Sequence, residues 1–106
     1  MAVGHELRTP AVAPARTQLA VARPNPFRQT VTFPFSLSRV GRVELALYSV
    51  DGRRMRTLVS EVREPGEYDV VWDGRDDDGR AVVAGVYYAR LDTPRGRFTR
   101  TVIHVK

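Results

Sequence analysis

The chain has 106 residues, the size of a single domain, and 42% of them are hydrophobic, enough for one packed core. Its net charge is +5, and all of its 17 basic residues except Lys106 are arginine. It contains no cysteine, which excludes disulfides, thiolate metal sites and cysteine nucleophiles. The longest apolar run, "AVVAGVYYA", is about half as long as a membrane-spanning helix, so we expect no transmembrane segment.

Residues 1–18 are rich in Ala, Pro, Val, Thr and Arg and show neither helical nor strand periodicity. Pro10 and Pro14 oppose a helix, so we predict an extended linker over 1–18 and one domain over 19–106. The first residues lack the apolar core of a secretory signal peptide. If the domain is exported, we expect the signal on a longer parent chain or on another subunit.

From Leu19 onward, short alternating segments are separated by turn residues. The stretches "TVTFPFSL" and "RVELALYSV" keep a period of two, which indicates half-buried strands, and Pro34 suggests an edge strand or a bulge. Asp51-Gly52 and Pro65-Gly66 predict tight turns. Further strands are predicted at "QLAVAR", "RRMRTLV", "EYDVVW", "GVYYARL" and "RFTRTVIHV". Seven strands without a helical stripe predict an all-β antiparallel sandwich.

The inward face of each predicted strand defines the expected core. In the last strand both faces carry apolar residues, and we place Ile103 and Val105 inside rather than Val102 and His104. The other expected core residues are Val31, Phe33, Phe35, Leu37, Val43, Leu45, Leu47, Leu58, Val70, Trp72, Tyr87, Ala89 and Leu91.

The stretch "WDGRDDDGR", residues 72–80, raises the question of a metal site. In an EF-hand frame with Gly79 at the invariant glycine, Asp76 and Asp78 fall on two ligand positions. The first and last ligand positions, however, fall on Gly74 and Gly85, which have no side chain to offer.

An irregular calcium site is the weaker alternative, with Asp73, Asp76 and Asp78 as candidate ligands. Aspartate side chains also accept hydrogen bonds from backbone N–H groups two residues on, and glycines supply the positive φ that turns need. We therefore predict two successive turns and no metal or other cofactor.

The sequence offers no catalytic constellation. Its two histidines are His5, in the predicted linker, and His104, near the end of the last strand. None of the serines that His104 could meet lies in a nucleophile-elbow context; these are Ser36, Ser38, Ser49 and Ser60. Phosphate-cradling glycine motifs are absent too. We predict that the protein is not an enzyme.

Nucleic-acid binding is a weaker alternative that rests on the positive charge. Aromatic residues on a basic sheet can stack bases, and the candidates are Tyr48, Tyr87, Tyr88 and Phe98. Aromatics at strand period, however, more often belong to the core or to cross-strand pairs. The arginines are spread along the chain, which favours a solvated surface.

Four segments occur in the order and spacing of a known domain type: "RPNPF", "LYSVDGRRMRTL", "PGEYDVVWDGRDDDGRAVVAGVYYARL" and "TVIHVK". They resemble the Ig-like domain of the flagellar hook-capping protein, a domain type that is widespread as a C-terminal sorting domain in type IX secretion. The resemblance covers Leu19 to Lys106. Ser49 departs from the family pattern, which usually has Asp after the tyrosine, and Arg100 and His104 depart from it in the last strand.

The resemblance implies an Ig-like sandwich in which the family motif has a structural role. The motif residues are Asn25, Pro26, Phe27, Tyr48, Gly52, Arg53, Trp72, Asp73, Gly74, Asp76, Gly79, Gly85, Tyr87 and Leu91. It also implies a non-enzymatic module for secretion sorting or for anchoring an exported protein at the cell surface. The alternative is a structural docking subunit of a larger membrane-associated or extracellular assembly.

The expected partner is another protein, either the secretion machinery or the assembly. The basic surface adds an anionic cell-surface polymer as an alternative partner. We expect an exported location: the periplasm, the cell surface or the extracellular space.

Overall fold

The computed structural model of the chain describes residues 13–106. Within that range the chain forms seven strands in two antiparallel sheets, so the predicted all-β sandwich is confirmed. No helix of the described range is long and apolar enough to cross a membrane. The strands are β1 (Gln18–Leu19), β2 (Val31–Leu37), β3 (Gly41–Ser49), β4 (Arg54–Arg63), β5 (Gly66–Trp72), β6 (Gly85–Thr93) and β7 (Gly96–His104).

The two sheets differ in size. The smaller has the order β1-β2-β5, and the larger has the order β4-β3-β6-β7. The edge strands are therefore β1 and β5 in one sheet and β4 and β7 in the other. One end of the sandwich carries the β2–β3 and β6–β7 turns. The two turns meet where Gly41, the first residue of β3, lies next to Pro94. The other end carries the β3–β4 turn and the acidic loop of residues 73–80.

Most of the expected core is buried between the sheets. The confirmed residues are Val31, Phe33, Phe35, Leu37, Val43, Leu45, Leu47, Trp72, Tyr87, Ala89 and Leu91. The core also contains Leu19 and Phe27, which precede the main alternating pattern. At about 25 cal/mol per Å² of apolar surface, burial of these side chains is the main favourable term in folding.

The register expected for the last strand is wrong. Val102 is fully buried, whereas Ile103 is 36% exposed and Val105 lies half-buried beyond the strand. The two-residue turn of the β6–β7 hairpin pairs Thr93 with Gly96, which puts Tyr87 opposite Val102. Residues opposite each other in an antiparallel pair point to the same face of the sheet. Because Tyr87 points inward, Val102 also points into the core.

The expectation for β4 is wrong by one residue. Val59 is buried and Leu58 only half-buried, because the register shifts between Leu45 and Ala46 leave Leu58 in a β-bulge. Val70 on the edge strand β5 is also half-buried, packing against the core rather than lying inside it.

Pro34 lies on the middle strand of the smaller sheet, so the suggestion of an edge strand is wrong. Strand β1 has only two residues, however, and is paired with Ser36 and Phe35. Next to it, Ala20 N donates to the Pro34 carbonyl at 2.9 Å, and the return bond of a regular antiparallel pair cannot form because proline has no N–H. The ladder on this side of β2 is therefore irregular where the proline stands.

Residues 1–12 of the predicted linker lie outside the described residues. Of the remainder, Thr17 is buried, and its hydroxyl accepts a hydrogen bond from Ser38 N at 3.0 Å. The Ser36 hydroxyl donates to the Arg16 carbonyl at 2.9 Å. The chain is thus attached to β2 from about Arg16, and the linker itself stays a prediction.

Candidate functional site

Most residues of the family motif lie at the end of the sandwich that carries the acidic loop. Trp72, the last residue of β5, is fully buried, and its ring lies 5.4 Å from the Phe27 ring and 5.8 Å from the Tyr87 ring. Its indole Nε1–H donates to the Arg75 carbonyl at 2.9 Å. That bond satisfies the one polar atom of a buried tryptophan and folds the following loop back over the ring.

Two of the aspartates close the turns predicted for them. The Asp73 carboxylate accepts a hydrogen bond from Arg75 N at 3.1 Å, two residues on. The Asp76 carboxylate accepts from Asp78 N and Arg80 N, both at 2.9 Å. Gly74 and Gly79 have φ values of 75° and 83°, in the left-handed region that glycine tolerates best.

Asp77 has a different role that the sequence does not reveal. Its carboxylate accepts a hydrogen bond from Thr57 N at 3.0 Å, and its own N–H donates to the Met55 carbonyl at 2.9 Å. Both bonds are made to the open edge of β4. Asp77 thus takes the place of a neighbouring strand over the first half of β4, which blunts an edge that another chain could otherwise pair with.

The weak metal candidates do not converge in the described part of the chain. No group of three or more His, Cys, Asp or Glu side chains within residues 13–106 is arranged to hold a metal ion. The carboxylates of Asp73 and Asp76 face N–H donors, and Asp73 also meets the Arg56 guanidinium at 3.2 Å. Asp78 is exposed. The absence of a metal stays a prediction, supported by the use of these carboxylates as turn acceptors.

The Asn-Pro-Phe motif forms a clasp on the outer edge of β7, which we define as residues 25–28. Phe27 N donates to the Ile103 carbonyl and Val105 N donates to the Phe27 carbonyl, each at 2.9 Å. The Asn25 side chain adds two bonds: its amide donates to the Thr101 carbonyl at 3.0 Å, and its oxygen accepts from Ile103 N at 2.9 Å. Phe27 of the clasp thus makes a parallel bridge with His104 of β7.

The clasp also plugs the end of the core. The Phe27 side chain is 1% exposed and packs between Trp72 and His104, whose ring lies 4.8 Å away. The guanidinium of Arg28 donates to the Lys106 carbonyl, and His104 Nε2 lies 3.2 Å from the Arg28 carbonyl. Sequence spacing could not reveal these contacts, because the clasp and the last strand are more than 70 residues apart.

The β3–β4 turn contains Ser49, one of the three residues that depart from the family pattern. The Ser49 hydroxyl donates to the Asp51 carboxylate and accepts from Arg53 N at 3.2 Å, so it closes the turn. The bond from Ser49 holds the pKa of Asp51 below its ordinary value. Gly52 has a φ of 88°, as the predicted turn requires, and Arg53 is exposed.

The other motif residues lie on β3 and β6. Tyr87 is buried, and its hydroxyl donates to the Val83 carbonyl at 2.6 Å. Burial raises the pKa of that hydroxyl. Tyr48 lies on the outer face of the larger sheet, where Arg90 stacks over its ring at 4.2 Å and donates to its hydroxyl at 2.6 Å. Gly85 begins β6, and Leu91 is buried.

His104 and the serines that it could have met in a catalytic site form other contacts. His104 lies between the clasp and Gly74, and its Nε2 is within hydrogen-bond distance of the Arg28 carbonyl. Ser36, Ser38 and Ser60 bond to Arg16, Thr17 and Arg42, respectively. No serine of the described range bonds to His104.

Solved structures that resemble the fold include those of PorU and PorZ. PorU from Porphyromonas gingivalis, solved as a latent dimer, matches with a TM-score of 0.63 and 20% identity over 89% of this chain and 10% of its own. PorZ, an essential surface component of the type IX secretion system of that bacterium, matches with a TM-score of 0.54 and 21% identity over 83% of this chain and 11% of its own. The chain thus spans about a tenth of each protein.

No curated protein matches the chain. The family model of the FlgD Ig-like domain matches residues 26–96, from the clasp through the acidic loop to the β6–β7 turn. That range covers more than half of the sequence and includes nearly all of the motif residues placed above. The chain therefore belongs to the FlgD Ig-like domain family.

Proposed function

We propose that this chain is a non-enzymatic, C-terminal Ig-like module that directs an exported protein to the type IX secretion system or anchors it at the cell surface. The observation that carries the proposal is the clasp. Asn25 and Phe27 bond along the outer edge of β7 and hold the last strand in one register. A sorting signal in that strand would be displayed in a fixed shape, and recognition of a preorganised strand costs less ordering entropy.

The likeness to PorU and PorZ supports this proposal at the level of fold. PorZ is described as an essential surface component of the type IX secretion system, and both likenesses extend over most of this chain. We therefore expect an exported protein that carries a module of this fold to use the type IX secretion system as well. The proposed location is accordingly outside the inner membrane, and the proposed partner is a protein of the secretion machinery.

The second candidate is a docking subunit of a larger assembly, and a patch on the outer face of the larger sheet favours it. Val86 and Ile103 are paired across β6 and β7, and they are 39% and 36% exposed. Tyr88, on the same face of β6, is 36% exposed. Neighbouring apolar side chains on one sheet face suit a partner surface better than they suit water.

A reporter fusion separates the two candidates. The full chain is fused to the C-terminus of a periplasmic reporter in a type IX-competent bacterium and in a matched strain without the translocon. The sorting proposal expects the reporter at the surface of the competent strain alone. Retention in the periplasm of both strains, with the chain co-purifying in a large assembly, would replace sorting by docking.

A further inference from the structure

The outer edge of β7 is covered over only half of its length. The clasp bonds to the backbone of Thr101, Ile103 and Val105. Backbone groups alternate in direction along a strand, so those of Arg97 and Thr99 point to the same outer side as those of Ile103. Within residues 13–106 no turn, loop or side chain bonds to the N–H or C=O of Arg97 or Thr99. Among these residues nothing pairs with the first half of β7, which is thus an unpaired edge.

A basic groove lies beside this free edge. It has a volume of about 550 Å³ and runs between residues 14–17 and the beginning of β7, where Phe98 forms one wall. Its charged lining consists of Arg16, Arg39 and Arg95, and none of the acidic residues within 13–106 lines it. These arginines come from three separate segments of the chain: residues 14–17, the β2–β3 turn and the β6–β7 turn.

Among residues 13–106, no partner occupies the three guanidinium groups. Within the described residues, none of them forms an ion pair or a side-chain hydrogen bond. The nearby hydroxyls of Thr17 and Ser38 are instead bonded to each other at 3.0 Å. The nearest acid on β6, Asp92, is already shared by Arg90 and Arg97. Within the part of the chain that the structure describes, the positive charge of the groove is therefore uncompensated.

We propose that this groove and the free half of the β7 edge form a docking site for an extended acidic peptide segment of a partner protein. The peptide backbone pairs with Arg97 and Thr99 as an added strand, and its carboxylates meet Arg16, Arg39 and Arg95. Strand addition takes its affinity from main-chain hydrogen bonds, and arginine recognises carboxylates through paired N–H donors.

The unpaired β7 edge and the positive charge of the groove together favour an acidic peptide over other ligands. Nucleic acid would satisfy the arginines, but it has no alternating N–H and C=O groups to continue a β-ladder. A second copy of the chain, paired edge to edge, would bring arginine clusters together, and like charges facing each other disfavour that contact. The inference goes beyond the proposed function and does not depend on the export route.

The test uses the full chain and an end-blocked, fluorescently labelled peptide of about six residues that alternates glutamate and threonine. Fluorescence anisotropy measures binding to this peptide, to a version with glutamine for glutamate, and to a version N-methylated at alternate residues. Amide hydrogen exchange reports the backbone of Arg97 and Thr99 directly. We expect binding of the acidic peptide alone, weakened by salt, with slower exchange at Thr99.

Matched double variants separate the site from general charge. Arg39→Gln with Arg95→Gln should weaken binding roughly tenfold, since two exposed ion pairs are lost. Arg53→Gln with Arg80→Gln removes the same charge at the opposite end and should leave binding unchanged. Equal weakening by both pairs, unchanged exchange at Thr99, equal binding of a single-stranded oligonucleotide, or a concentration-dependent dimer that the first pair abolishes would each overturn the proposal.

Discussion

The backbone amide of Thr57 donates to the carboxylate of Asp77 at 3.0 Å, so an acidic loop residue takes the place of a strand at the edge of β4. The neighbouring bond from Asp77 N to the Met55 carbonyl completes a pair of contacts like those of a β-ladder. The acids of "WDGRDDDGR" thus close turns at Asp73 and Asp76 and cover an edge at Asp77.

Replacing Asp77 by alanine should lower the free energy of unfolding by about 1–2 kcal/mol, since Thr57 N loses a charged acceptor. Urea denaturation followed by tryptophan fluorescence measures the change. Asp78→Ala is the matched control, because Asp78 is exposed and adjacent. Equal losses for both variants would show that the loop contributes through its net charge and not through the bond to Thr57.

The register of β7 can be tested at two neighbouring residues. Val102→Ala removes two methyl groups from the core and should cost about 2 kcal/mol. Ile103→Ala, on the outer face, should cost less than about 0.5 kcal/mol. Thermal or urea unfolding of the two variants decides the question, and the reverse order of losses would restore Ile103 to the core.

The clasp makes a stability prediction of its own. Asn25→Ala removes one donor and one acceptor that bond to β7, and we expect a loss of about 1–2 kcal/mol. Hydrogen exchange should also accelerate at Ile103, whose N–H is bonded to the Asn25 side chain. Gln29→Ala is the control, because Gln29 is exposed just beyond the clasp. An Ile103 amide that exchanges at the wild-type rate would argue against the clasp.

Calcium should have little effect on stability. The melting temperature with excess Ca²⁺ should match that with chelator, because Asp73 and Asp76 already accept backbone N–H bonds. A tight site at a hundredfold excess over its dissociation constant would add about 2.7 kcal/mol. Asp76→Ala should destabilise the domain equally under both conditions. A rise of several degrees with calcium, lost in Asp76→Ala, would establish the irregular metal site instead.

The strands and most of the core could be predicted because the information is local. In β2 and β3 the side-chain period of two leaves a single choice of inward face, and Asp51-Gly52 fixes the turn after β3. The last strand has apolar residues on both faces, so its register depends on the pairing with Tyr87, a tertiary contact.

The site was predicted only in part, because some of its hydrogen bonds are local and others join residues far apart in the sequence. The turn bonds of Asp73 and Asp76 span two to four residues, so residue type and spacing are enough to predict them. The bond from Asp77 to Thr57 spans 20 residues, and the bond from Asn25 to Ile103 spans 78. The bulge at Leu58 likewise depends on the register with β3. No local pattern encodes contacts at these separations.

The most direct test of the sorting account is the placement of the chain relative to a reporter. A reporter joined before residue 1 leaves β7 and Lys106 at the C-terminus, whereas a reporter joined after Lys106 extends the chain beyond the strand that the clasp holds. The fraction of reporter accessible to protease on intact type IX-competent cells is measured for both fusions. The account predicts surface exposure for the first fusion and retention for the second. Equal exposure of both, or retention of both with the domain folded, would contradict it.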